Sequence, residues 1–328
     1  MRGVRVPTIL ASGTVGLSIL AACHAFGTAN DGPAPAEAGT SVVPSLEGAA
    51  PVATSCDRTK DFGVPVLLVS VSTPEEEGSP RLSDDELTIW FDGIRRADGG
   101  SATYDLLVAT RSSLGDGFGP ATRAPGPLHV AASHEYSPNP SSDGLRLFFE
   151  REASGGASRL FVAARQATSD PFGAATPISL QGSDGYQANP FVRGSGSELW
   201  FVATGADKRI DVFHADGLPD GGYLAAPVPG VNSGRGDFAP VLSQDGTTIY
   251  LSSDRPTSGG PLGFNVWSAT REAPSSPFGQ PTLVPNVNTD DDESPGWISS
   301  DGCRLYLTRK RIVGAVTEQD IYVAARPD

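Results

Sequence analysis

The chain has 328 residues, 38 acidic against 24 basic side chains, a formal net charge of −14, and 38% hydrophobic residues. That leaves room for one large or two medium domains with a core, and the acidic balance argues against nucleic-acid binding, which needs a basic face. With 39 Gly and 28 Pro, one Met and no long stretch of helical apolar period, the composition points to an all-β protein rich in turns.

The first element in chain order is a targeting segment. Arg2 and Arg5 precede a mostly apolar stretch from Val6 to Ala22. It is too short and too rich in Gly and Ser for a membrane span, and it fits a signal peptide over residues 1–22. The run Leu20, Ala21, Ala22, Cys23 resembles the bacterial lipobox. The resemblance implies cleavage before Cys23 and its lipidation, and His24 in place of Asp implies sorting to the outer membrane, facing the periplasm or the cell surface. The competing reading is an ordinary signal peptide with Cys23 incidental. Residues 23–58, the lipidated cysteine and a stretch rich in Ala, Gly, Pro, Ser and Thr, read as a disordered tether, because such a composition cannot bury enough apolar surface to order itself.

From residue 59 to 328 the chain repeats. Five turns align on Asp85, Asp143, Ser195, Asp245 and Asp301, spaced by 58, 52, 50 and 56 residues. Such a period signals a propeller or a solenoid. Four positions on, each copy has three successive apolar residues, beginning at Ile89, Leu147, Leu199, Ile249 and Leu305, the pattern of a strand covered on both faces. Gly follows the anchor in four copies, and Asp-Gly suits a hairpin turn needing positive φ. A third strand follows at 104–111, 159–165, 210–216, 264–271 and 320–326, with Arg closing four of the five. Then come "GFGPAT", "PFGAAT", "PFGQPT" and a weaker "GGYLAAP" at 221–227, read as the start of an outer fourth strand.

Four antiparallel meandering strands per repeat make a propeller blade. The pattern resembles the WD40-like repeat of TolB-type propellers. Counting the copies gives five blades, one fewer than the six commonest in that family, and the resemblance implies protein contacts in the cell envelope. The alternative of six blades has no sequence left to build it. The last copy stops after its third strand, and its missing motif stands at the other end as "DFGVPVLLVS", 61–70. The N-terminal strand is therefore expected to complete the last blade, removing the open edges. Cys56 and Cys303 lie where a disulfide could pin this closure in an oxidising compartment. Against it stands the roughly 14 Å between first and fourth strands, which the linker must bridge.

Eight residues before the anchors stand Glu77, Glu135, Gln187, Asp237 and Glu293. One reading is a ring at the channel mouth that binds a cation or a basic group; the other is architectural, each carboxylate accepting backbone N–H bonds. The run 286–294 offers Asn288, Asp290 and Asp292 like the start of a calcium loop, but lacks the Gly and Glu that such a loop needs. No metal site or cofactor is expected, calcium being the one weak candidate. The histidines, His24, His129, His134 and His214, show no zinc spacing, there is no G-x-S-x-G, and no catalytic residue stands out. The expected role is a monomeric, lipid-anchored, non-enzymatic envelope scaffold that binds a protein, peptidoglycan or carbohydrate. The alternatives are a glycan-active enzyme of the five-bladed glycoside hydrolase type, with a carboxylate pair from the ring, and a cation-stabilised scaffold.

Overall fold

A computed structural model describes residues 56–328 apart from 97–101, 154–155, 184, 206, 220 and 315. The expected signal peptide, Cys23, His24 and the expected tether up to residue 55 lie outside the described residues. Five antiparallel sheets follow one another along the chain, and no helix occurs among the described residues. The first blade is formed by Glu77–Leu82, Thr88–Arg96, Ala102–Thr110 and Thr122–Arg123. Blades two to four follow the same order from innermost strands Ser133–Pro140, Gln187–Arg193 and Asp237–Leu242. The third blade carries a fifth strand, Leu180–Gln181, lying parallel to Tyr223–Pro227.

The fifth blade takes Asp292–Ile298, Arg304–Val313 and Val316–Ala325 from the C-terminus and Val66–Leu67 from the N-terminal side. Val66 pairs with Val323 and Leu67 with Tyr322, so the ring closes by strand exchange as the sequence repeat implies. Cys56 and Cys303 are disulfide-bonded, with Cα atoms 5.7 Å apart. The chain crosses the expected gap because it runs back over the C-terminal strand: Asp57 N–H donates to Pro327 O (3.0 Å), and Arg326 N–H donates to Cys303 O (2.8 Å). Behind the seam, Val71, Leu82, Ile89 and Phe91 of the first blade share one core with Tyr306, Ile321 and Val323 of the fifth.

Each hairpin is built by its anchor. Asp85, Asp143, Asp245 and Asp301 accept the Ser Oγ two residues earlier (2.5–2.6 Å) and the amide two residues later (2.9–3.0 Å). The residue after the anchor has positive φ in all five copies, 67°, 94°, 69° and 73° at Gly144, Gly196, Gly246 and Gly302, and 58° at Glu86. Glu86 holds this strained conformation where its carboxylate takes bonds from Arg304 and Tyr306 across the closing seam.

A clamp ties the outer edge to the hairpin. Arg111, Arg165, Arg271 and Arg326 donate Nε to the carbonyl of that positive-φ residue (2.7–3.1 Å). Each also lies over the Phe of the Phe-Gly motif, Phe118, Phe172, Phe278 and Phe62, at 3.9–4.5 Å from the ring centroid. The third blade has neither Arg nor Phe-Gly; there the Tyr223 hydroxyl donates to Gly196 O instead.

Because the closing strand and the disulfide join residues 247 positions apart, reducing the bridge or making C56S/C303S is expected to lower unfolding free energy by about 2–5 kcal/mol in urea titrations. Removing residues 60–70 is expected to strip the fifth blade of its outer strand and abolish the single cooperative transition. Unchanged stability would contradict the closure.

Candidate functional site

The five polar residues that precede the innermost strands come first. Glu77, Glu135, Asp237 and Glu293 are fully buried and Gln187 is 6% exposed. Each is engaged by its own blade. Thr73 N–H and Oγ1 donate to Glu77 at 3.0 and 2.5 Å, Ser233 N–H and Oγ to Asp237 at 2.6 and 2.9 Å, and Thr289 N–H and Oγ1 to Glu293 at 3.0 and 2.5 Å. An arginine on the second strand, or in the fourth blade just after it, completes four of the sets: Arg95 on Glu77 (3.5 Å), Arg151 on Glu135 (2.8 Å), Arg255 on Asp237 (2.6 Å) and Arg309 on Glu293 (2.8 Å). Gln187 donates to Ser183 O. Burial pushes the Glu77, Glu135 and Glu293 carboxyls up, against the pull of these hydrogen bonds and arginines. As buried, internally bonded groups they fasten each innermost strand to its own blade.

Two residues further on, every innermost strand bulges, shifting register by one residue. Ser79, Ser137, Asn189 and Ala239 take φ of 51°, 52°, 49° and 48°, each before a proline. Their amides are captured across the axis side of the ring. Ser79 N–H donates to Thr308 Oγ1 (2.9 Å), Ser137 N–H to Asp92 Oδ2 (2.8 Å) and Asn189 N–H to Glu150 Oε2 (3.3 Å), each acceptor lying on the second strand of the preceding blade. Asn189 Nδ2 continues to Ser137 Oγ (3.1 Å), and that hydroxyl to Ser79 Oγ (3.3 Å). In the fifth blade Gly296 replaces the proline, because a Cβ there would sit 2.5–2.6 Å from Pro80.

The next position on each innermost strand is Arg81, Asn139, Phe191, Val241 and Trp297. They pair with Trp90, Phe148, Trp200, Tyr250 and Tyr306 and so share one level of the channel. Here the five blades differ in charge, size and polarity. Phe191 meets Trp297 at 6.2 Å between ring centroids, and the Arg81 guanidinium stands 5.6 Å from the Phe191 ring. Phe191 and Trp297 form the floor of a cavity of about 940 Å³ at the hairpin-turn face, walled by the following residues Leu82, Pro140, Val192, Leu242 and Ile298. Sequence reading passed over this column; the signal was there in the one position beside the repeated proline that does not repeat.

Of the remaining titratable groups, His214 reaches the cavity through Glu198, which lines it and lies 3.4 Å from His214 Nε2. Asp105, His129 and Glu135 bring ligand atoms within 4.8 Å of one another, the one place among the described residues where a cation would find three. Arg123 and Arg151 already pair with the two carboxylates at 2.7 and 2.8 Å. His134 packs between Tyr104 and Tyr136, and His214 lies 4.5 Å from the Trp200 ring centre. Of the calcium-like run, Asn288 bonds both the amide and the carbonyl of Val266, and Asp292 accepts from Phe264 N–H, so both tie loops to strands.

No protein-family model matches this chain, and no curated protein matches it. Solved structures of similar fold include a GH43_1 enzyme from Xanthomonas citri (TM-score 0.52, 15% identity, covering 80% of this chain and 90% of that one). An α-L-arabinofuranosidase from Podospora anserina aligns at 0.50 with 10% identity over 83% and 99%. TolB from Acinetobacter baumannii aligns at 0.42 with 14% identity over 79% of this chain and 56% of its own length, so the chain spans little more than half of that protein. At these identities the likeness establishes the propeller fold alone.

The inter-blade acceptors set a pH dependence. Burial raises Glu150 to about 8 and Asp92 to about 6, against the hydrogen bonds they accept. Above the unfolded-state carboxyl pKa the folded chain then holds more protons than the unfolded one, so stability falls as pH rises toward 8 and levels off beyond it. Chemical denaturation between pH 5 and 9 is expected to show this slope, and Glu150→Gln to flatten it; an equal slope in the variant would assign it elsewhere.

Proposed function

We propose that the protein is a lipid-anchored propeller of the cell envelope that binds its ligand at the hairpin-face cavity without transforming it. One observation carries this reading: Phe191 and Trp297, from a channel level where the blades differ, line a cavity of about 940 Å³, and the carboxylates lining that cavity are ill suited to acid–base work. Three acids line it, Asp84, Asp143 and Glu198. Asp143 holds its own turn through Ser141 and the Leu145 amide. Burial alone would raise Glu198, but bonds from His214 and Trp200 and the charge of Arg193 outweigh it and hold the carboxyl at about 2. Glycoside hydrolysis asks for two carboxyls, one of them kept protonated near neutral pH. Asp84 alone does not supply the pair.

The aromatic floor and mixed polar rim suit a carbohydrate or peptidoglycan fragment, a largely apolar pocket with a few placed polar groups being the general form of a small-ligand site. The proteins from Xanthomonas citri and Podospora anserina carry glycosidase names, so sugars are the first ligands to try and hydrolysis is the rival outcome. Anchoring follows from the Leu20–Cys23 run, since more than one acyl chain holds a protein on a bilayer durably.

Calorimetric titration with soluble peptidoglycan fragments and neutral and acidic oligosaccharides is expected to find a ligand whose affinity falls at least tenfold in Trp297→Ala, with no new reducing ends after prolonged incubation. Release of reducing ends would replace binding with catalysis. Cys23→Ser is expected to move the protein from the membrane to the soluble fraction; retention there would remove the lipid anchor from the proposal.

A further inference from the structure

Three side chains at the channel level of Phe191 each carry a donor that has nothing to donate to; of the three, Trp297 lines the cavity, and Arg81 and Asn139 lie buried beneath it. Arg81 Nε, Asn139 Nδ2 and Trp297 Nε1 are buried and make no hydrogen bond. Arg81 and Asn139 are each only 1% exposed, and leaving such buried donors unmet is destabilising. The orientation of the Asn139 amide is fixed, because its Oδ1 accepts from Val192 N–H (3.0 Å) and its Nδ2 is what remains.

The three stand at one level of the channel, and all lean on the third blade: Arg81 and Trp297 on the Phe191 ring, Asn139 on Val192. Arg81 also donates Nη1 to Gly296 O, the residue beside Trp297. Among the described residues no carboxylate makes an ion pair with Arg81. Asp92 has an unpartnered oxygen, Oδ1, but that oxygen faces the Gly78 and Gln319 side. The charge of Asp92 acts on Arg81, but its carboxylate accepts no hydrogen bond from the three donors, so the cluster itself is one cation and two neutral N–H groups with unmet donors. Water would fill it poorly, since a bound water needs acceptors for its own hydrogens. A group that only accepts, and carries negative charge, answers all three donors and the buried guanidinium together.

We infer that the channel level beneath the cavity holds an anion subsite, in which Arg81, Asn139 and Trp297 receive one monoanionic acceptor group, a halide or a carboxylate. On a chain of net charge −14 such a site works against the overall field, so it depends on these three donors and not on long-range attraction. The shared chemistry has two sources. One is a free small ion lodged in the channel. The other is the carboxylate of an acidic ligand entering from the hairpin face; this second source alone rests on the binding role proposed above.

The test uses the purified chain in two arms. Crystals soaked in sodium bromide are expected to show an anomalous peak within hydrogen-bond reach of Arg81 Nε, Asn139 Nδ2 and Trp297 Nε1. In solution, thermal melts at fixed ionic strength are expected to show a saturable rise in Tm with bromide or with D-glucuronate, and none with D-glucose. Bromide alone identifies the free ion, glucuronate the ligand-borne carboxylate, and either supports the site. Since Arg81 is buried deeply enough for its removal to threaten folding, the deciding variant is Asn139→Asp, nearly isosteric, which places a carboxylate inside the cluster. It is expected to fold, as read by circular dichroism, and to weaken the anion response at least tenfold. A site holding only water in the crystal together with flat melts would overturn the inference, as would an anion response undiminished in Asn139→Asp. A chain that binds oligosaccharides while failing both arms loses this subsite and keeps the binding role; the reverse result keeps the subsite and loses the role.

Discussion

The ring stands on the way one blade's bulge is caught by the blade before it. At Ser79, Ser137, Asn189 and Ala239 the backbone adopts a left-handed conformation immediately before proline, which costs about 1–2 kcal/mol for a residue with a side chain. The cost is offset where the freed amide is bonded. All four amides find a side-chain oxygen on the preceding blade, at Thr308, Asp92, Glu150 and, for Ala239, Asn189 Oδ1 (3.4 Å), and such a hydrogen bond contributes about 0.5–1.5 kcal/mol. Strain on one blade is thus relieved only by its neighbour, so no blade is comfortable alone. That coupling makes five marginal sheets into one cooperative body, and it explains why two carboxyls are kept deep in the channel wall despite the penalty of burial.

The outer edge is held by a different device that serves the same end. The Arg that closes each third strand joins three otherwise separate pieces: the carbonyl of the hairpin turn, the face of a Phe, and through that Phe the outer strand. Blade three shows that the connection matters more than the residues, since Tyr223 reaches the same carbonyl, Gly196 O, from the outer strand itself. The fifth blade depends on it most. Its Phe62 comes from the other end of the chain, packs under Arg326 and meets Tyr250 of the fourth blade at 6.3 Å. The same seam carries the Cys56–Cys303 bridge and the Glu86–Arg304–Tyr306 cluster.

What could be read from the amino acids follows this division. Hairpin anchors, third strands and the displaced Phe-Gly motif recur at fixed spacing because each blade solves the same packing problem, and so the five blades and the exchanged strand were legible. The column of Glu77, Glu135, Gln187, Asp237 and Glu293 was equally visible, but periodicity alone does not say whether a repeated acid faces a ligand or its own backbone. The Thr or Ser four residues ahead of Glu77, Asp237 and Glu293 was the missing clue, since it caps the carboxylate. The bulge went unread because its one-residue slip breaks the alternation by which inward positions are counted. The extra strand Leu180–Gln181 has no counterpart in the other repeats and left no pattern to find.

Repetition and function therefore separate at a single step along the innermost strand. The bulge recurs in every blade, with Pro295 and Gly296 standing in for the left-handed residue and the proline in the fifth; the residue just after it stands at the axis and is free to differ. Arg81, Asn139, Phe191, Val241 and Trp297 are five unlike side chains on five like scaffolds. Packing demands of a nearly symmetric ring would be met by similar apolar residues, as they are one position later in four of the five blades, at Leu82, Val192, Leu242 and Ile298. Leaving three donors unbonded at the level beneath weakens the fold with no gain in packing, and a protein of ordinary marginal stability tolerates such a loss where an occupant repays it.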